Sequence, residues 1–152
     1  MSAAPSPLPE DIKLRLSIRS DIGRAQSELT GLRTLILELL GEDRGEPFAL
    51  ACSEAVNNAI LHAHRGNAAL TVEVEVKASA ARVDVSVCDV GPPFDLGGRI
   101  AAQADTPYAE LDTDMLPESG LGLFLIKQGS DETHYERIGD RNCLVLIRYR
   151  GR

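Results

Sequence analysis

The amino-acid sequence predicts a two-layer α/β sandwich, a mostly antiparallel mixed sheet with helices covering one face. Three observations carry this expectation. Leu70–Lys77 and Arg82–Cys88 alternate between apolar and polar residues, the period of strands with one packed and one wet face. Apolar residues from Ile22 to Leu40 recur instead at helical spacing. The resulting order, β-α-α-β-β-loop-α-β-β, lacks the regular βαβ alternation of a doubly wound sheet.

Taken from the N-terminus, Met1–Pro9 is rich in Pro, Ser and Ala and has neither the basic nor the apolar region of a signal peptide. Residues 1–12 are therefore expected to be a mobile tail, followed by a single domain at 13–152. Lys13–Ile18 reads as a strand with Leu14, Leu16 and Ile18 on one face. Ser20 or Asp21 can cap the helix that follows. The charged, glycine-bounded segment Gly41–Gly45 stops that helix, and Pro47 suits the first turn of the next, which runs to about Gly66. The two alternating segments joined at Ala78–Ala81 make a hairpin. Residues 96–117 lose all periodicity, are rich in Gly, Ala, Asp and Pro, and read as a functional lid. Gly120–Lys127 opens a third helix, and Glu132–Ile138 with Asn142–Tyr149 forms a last hairpin turning at Gly139-Asp140-Arg141.

Composition narrows the function. With 152 residues, 43% of them apolar, the chain is long enough for a real core. A net charge of −7 without a local basic patch argues against nucleic acid or an anionic membrane as partner. The most apolar run, Leu35–Leu40, contains Glu38 and is far too short to span a bilayer. Cys52, Cys88 and Cys143 lie far apart in apolar segments with no metal-ligand spacing, and read as buried free thiols of a cytoplasmic protein.

Chemistry concentrates in three places. Ser53–His64 sets polar residues on an otherwise apolar helix. At about 100° per residue, Glu54 and Asn58 share one face a turn apart, flanked by Asn57 and His62. A half-buried face of this kind calls for a metal, a phosphate or a polar network. Asn57 itself reads as a local helix–loop hydrogen bond. In the second place, Cys88-Asp89-Val90-Gly91-Pro92-Pro93-Phe94-Asp95, strand alternation puts Asp89 on the core face, where a carboxylate needs a partner. Gly91 follows where the chain turns sharply and a ligand can approach closely. In the third, Ser119-Gly120-Leu121-Gly122-Leu123, glycines at a helix start leave backbone N–H groups free to cradle phosphate.

In this order and spacing the three motifs resemble those of the GHKL (Bergerat-fold, histidine kinase-like) ATPase/kinase superfamily, and within it the anti-sigma-factor serine kinases. The resemblance extends from about Leu14 to Arg148. It implies that Glu54 is the general base toward a protein serine and that the Asn58 amide oxygen holds Mg²⁺ on the phosphates of ATP. It implies that Asp89 accepts from the adenine amino group, that Gly91 lies beneath the adenine, and that Gly120, Leu121, Gly122 and Leu123 line the phosphates. His62 closes the first motif in a more structural role. The resemblance also implies a sigma factor and an antagonist protein with a substrate serine as partners, and members of this group tend to form homodimers.

The chain departs from the pattern in two places. The family's arginine for the γ-phosphate is replaced by Pro117 and Glu118, leaving Arg99 or Lys127 as substitutes. Asn142-Cys143 stands where the family has Gly-Thr near the adenine. These departures keep open a second reading, a nucleotide-binding interaction module with little catalysis. A third, the detached ATP domain of a histidine kinase, ranks last because no phosphoacceptor hairpin fits before Leu14.

Overall fold

The computed structural model describes residues 11–93, 96–103 and 118–151. Five antiparallel strands form one sheet in the order β1-β2-β3-β5-β4. They are β1 (Ile12–Arg19), β2 (Thr71–Ala78), β3 (Arg82–Asp89), β4 (Glu132–Ile138) and β5 (Arg141–Tyr149). Helices α1 (Ile22–Asn58) and α3 (Glu118–Gly129) cover one face, and a short α2 (Leu96–Ala101) lies between them in sequence. This is the α/β sandwich the alternation predicts.

The core is the seam between those layers. Val72, Val74 and Val76 of β2 and Val83, Val85 and Val87 of β3 point into it, meeting Ile36, Phe48, Cys52 and Val56 of α1 and Ile126 of α3. Each fully buried side chain of this size contributes roughly 1.5–3 kcal/mol. The helix pair closes tightly at Gly129, where an added Cβ would fall 2.2 Å from the Pro47 carbonyl oxygen.

The capping residue of α1 is Asp21, whose side chain accepts from the Arg24 N–H. The break expected over Gly41–Gly45 is confined to Gly41 (φ 79°), after which helical geometry resumes. One glycine in the left-handed region suffices to redirect the chain, so Pro47 sits one turn further into the helix than expected. Asp131 ties this bend to the sheet, accepting from Arg44 at 2.9 Å and from the Tyr149 N–H at 2.8 Å.

Two expectations need correction. Residues 96–101 are helical, with Ile100 buried and Gly97 close against Tyr135; the glycines hid the helical period in so short a piece. Residues 104–117 of the expected lid, the tail at 1–10, and Phe94-Asp95 of the second motif lie outside the described residues. The cysteines are not all free. Cys88 and Cys143 face each other across β3 and β5 and are joined as a disulfide, while Cys52 is buried and free. Their wide sequence separation of 55 residues concealed a pairing that strand register creates. No described helix is long and apolar enough to cross a membrane.

Candidate functional site

The C-terminal end of α1 changes pitch where the polar motif lies. After Asn58 the helix widens into a π turn over Ala59–Ala63, with the His64 N–H bonded to the Ala59 carbonyl at 2.9 Å. Such turns insert one residue and often mark functional sites. Asn58, just before the turn, and His62 within it line a cavity of about 300 Å³. Ala63 and His64 meanwhile turn toward the end of β3. Arg65 (φ 51°) and Gly66 (φ 70°) then end the helix in left-handed geometry.

Asp89 lines the same cavity. Its walls are Ala55, Ala59, Val87, Leu96, Leu123 and Leu144 with Tyr135, a mostly apolar lining that includes one carboxylate. Asp89 Oδ1 accepts from the Gly91 N–H and from Asn142 Nδ2, both at 2.9 Å. Both bonds fall on one oxygen, and Oδ2 accepts from none of the described residues. Asn142 is buried, and its Nδ2 also contacts the Gly91 and Pro92 carbonyls. Arg137 donates to Asn142 Oδ1 at 2.8 Å, which fixes which end of the amide carries the donors.

His64 holds the same turn from the opposite side. The Val90 N–H donates to its Nε2 at 3.0 Å, so the ring proton is on Nδ1 and donates to Ser20 Oγ at 2.6 Å. Burial lowers the His64 pKa, opposed by the nearby Asp89 charge. Gly91 packs on the π turn, where an added Cβ would lie 2.8 Å from both Ala63 Cβ and Ala63 O. The close approach that demands glycine at this position is therefore one of protein on protein.

Glu54 stands one turn before Asn58, and burial raises its pKa. A Cβ on Gly122 would lie 3.0 Å from Glu54 Oε2 and 3.9 Å from Asn58 Oδ1. The first motif and the start of α3 are thus close together, and a side chain at position 122 would have to displace the Glu54 carboxylate. Gly120 and Leu121 belong to the same first turn of α3, whose leading N–H groups have no intrahelical acceptor. The glycines lie inside the helix, not ahead of it.

Of the two candidate cations, Lys127 is directed elsewhere. Its Nζ donates to the Ala101 and Gln103 carbonyls at 3.2 and 2.5 Å, at the C-terminal end of α2. Arg99 lines the cavity. Asn57 does not make the local hydrogen bond expected of it; its Oδ1 is buried without a partner among the described residues.

Residues 22–148 match the family model of the histidine kinase-like ATPase domain. The chain belongs to this family. Among its relatives, the serine-protein kinase RsbW of Bacillus subtilis (strain 168) is 32% identical over 120 residues, 74% of this chain and 73% of the relative. The RsbW of Bacillus licheniformis is 30% identical over 119 residues, with the same shares covered. That of Listeria innocua is 36% identical over 88 residues, 57% of this chain and 55% of the relative. A histidine kinase-like ATPase domain is an ATP-binding unit, and Asp89 and Asn58 both line the described cavity.

Sequence reasoning missed Asn142 and His64 as parts of this site. In the sequence Asn142 stands out only as part of the Asn142-Cys143 pair in place of the family's Gly-Thr. His64 carried a signal that could have been read: a histidine two residues past the polar helix face, where the chain turns toward β2.

Proposed function

We propose that this protein is an ATP-dependent serine kinase that binds a sigma factor and phosphorylates a serine of its antagonist. The observation that carries this reading is the approach of Gly122 to Glu54 and Asn58 at one end of the Asp89 cavity. This supports a reading in which Glu54, Asn58 and the start of α3 meet the phosphates of a nucleotide whose base is held by Asp89.

The residues divide the work. Asp89 Oδ2 accepts from the exocyclic amine of adenine, while Asn142 and the Gly91 N–H hold the carboxylate in place. Leucine, valine and alanine walls exclude water from the purine faces. The leading N–H groups of α3, up to Gly120, donate to phosphate oxygens, assisted by the helix dipole, with Leu121 next in the same turn. Asn58 offers its amide oxygen to Mg²⁺, and His62 lies one turn further along the same wall. When bound, Mg²⁺ neutralises charge on the phosphates. Glu54 takes the proton of the incoming serine hydroxyl as its oxygen bonds to the γ-phosphorus and the bond to the ADP oxygen breaks. A carboxylate whose pKa is raised by burial is better suited to that role than a fully solvated one. Arg99, on the cavity wall, is the described cation best placed to balance the triphosphate where Pro117 and Glu118 supply none.

Calorimetry with MgADP and MgATP, followed by phosphate transfer to an antagonist serine, tests this reading. Transfer that disappears in Glu54→Ala, with nucleotide affinity retained, is the expected result. Nucleotide binding without transfer to any antagonist would favour the interaction module that Pro117-Glu118 also suits. No nucleotide binding would end both readings.

A further inference from the structure

We infer that Cys88 and Cys143 form a reversible thiol–disulfide site that tunes nucleotide affinity from the far side of the sheet. The inference rests on the nucleotide reading of the Asp89 cavity. It begins with strand register: Cys88 pairs with Cys143, and the next rung pairs Asp89 with Asn142. The cysteine Cα atoms are 4.1 Å apart, the close spacing of a pair without mutual backbone hydrogen bonds. Alternation sends Asp89 and Asn142 toward the helices and both sulfurs to the opposite face. The bond therefore adjoins the ligand carboxylate along the backbone and never enters its cavity.

The site is also reachable. Cys88 is half-buried and lines a polar groove on the outer sheet face with Arg15, Arg141, Glu75 and Ser86. Ser86 Oγ lies 3.5 Å from Cys88 Sγ. Arg15 there is ion-paired with Glu75, and Glu73 also lines the groove, so it is the partial exposure of Cys88 that lets redox reagents reach the bond. Cys52 makes the contrast: it is buried in the core, and desolvation pushes its thiol well above the usual range, so it stays inert.

Position explains the coupling. Asp89 is the last residue of β3, and Asn142 is the second of β5, so their rung ends the ladder. Terminal rungs open most readily. With the disulfide closed, the neighbouring rung is covalently held and Asp89 and Asn142 stay in register for the purine. Reduced, they depend on their own hydrogen bonds. Oxidation by a peroxide removes one hydrogen from each thiol, forms the S–S bond, and reduces the peroxide to two waters. A dithiol reverses it, becoming a disulfide as the protein takes up two electrons and two protons. Linkage then requires that bound nucleotide oppose reduction by the factor by which oxidation tightens binding.

The experiment uses the full chain, oxidised with hydrogen peroxide or reduced with a phosphine, each state verified by mass. MgADP affinity is measured in both, and the disulfide is titrated in a glutathione series with and without MgADP. About fivefold or tighter binding in the oxidised protein is expected, with a matching shift toward oxidation in the titration. Cys88→Ser should bind like the reduced protein under both conditions. Equal affinity in the two verified states would overturn the inference and leave the nucleotide reading intact. Cysteines that stay reduced under peroxide would overturn it as well. Absence of MgADP binding in both states would remove the nucleotide reading and this inference together. The glutathione titration needs no variant, so a Cys88→Ser protein that fails to fold does not decide the matter.

Discussion

Asn142 donates to Asp89 Oδ1 at 2.9 Å from the facing strand, and to two carbonyls of the turn that follows Asp89. One buried amide thus orients both the carboxylate proposed to read adenine and the loop beside it. Removing it takes the amide donor from the Pro92 carbonyl, leaves Asp89 Oδ1 with the Gly91 N–H alone, and leaves Arg137 with the Gly91 carbonyl alone. Asn142→Ala should cost about 1–3 kcal/mol of stability and weaken MgADP binding about tenfold, read by urea denaturation and calorimetry. Unchanged affinity would mean that Asp89 keeps its orientation without help.

Gly122→Ala separates stability from activity. Alanine in place of a helix-interior glycine favours the helix by about 0.5–1 kcal/mol. Its Cβ, however, would sit 3.0 Å from Glu54 Oε2, so the carboxylate must move. Phosphate transfer should fall about tenfold or more while thermal stability holds or rises.

Gly129→Ala should do the reverse. Its Cβ would collide with the Pro47 carbonyl and with Ala51 Cβ, neither of which can swing aside. Helices α1 and α3 must separate, and a loss of about 3 kcal/mol or more is expected in urea denaturation.

The His64 network predicts a pH dependence. The folded state holds the imidazole neutral and with a lowered pKa, so the unfolded chain binds more protons once pH falls below the ordinary value of 6.5. Stability from this residue is therefore complete above that pH and is lost as pH falls through the folded-state value. Denaturant midpoints from pH 8 to pH 5, compared with those of His64→Gln, check the sign; the glutamine variant should show a flatter profile. A wild-type midpoint that rises on acidification would contradict the proposed tautomer.

Arg99→Ala should weaken MgATP binding more than MgADP binding, by about tenfold against little change, because only the triphosphate needs the added charge. Equal losses would place Arg99 against the base or the sugar instead.

Much of this protein could be read along the chain, because much of it is local. Alternation in β2 and β3, the helical period from Ile22 to Leu40, and the turn at Gly139 each depend on neighbours within a few residues. So does the placement of Asp89 on the core face, since its direction follows from Val83, Val85 and Val87. Three motifs in family order, each a short local stretch, indicate a nucleotide fold from the sequence alone.

What lay beyond the sequence depended on residues that meet only after folding. Strand register across β3 and β5 pairs Cys88 with Cys143 and Asp89 with Asn142, residues more than fifty positions apart. The π turn, which no propensity marks, carries His64 to Val90 and Ala63 to Gly91. Packing of α3 on α1 sets Gly122 against Glu54 and leaves Lys127 on the carbonyls of α2. Periodicity specifies which face a residue occupies; which residue it meets across that face is decided by register and packing, and at this site those contacts set the chemistry.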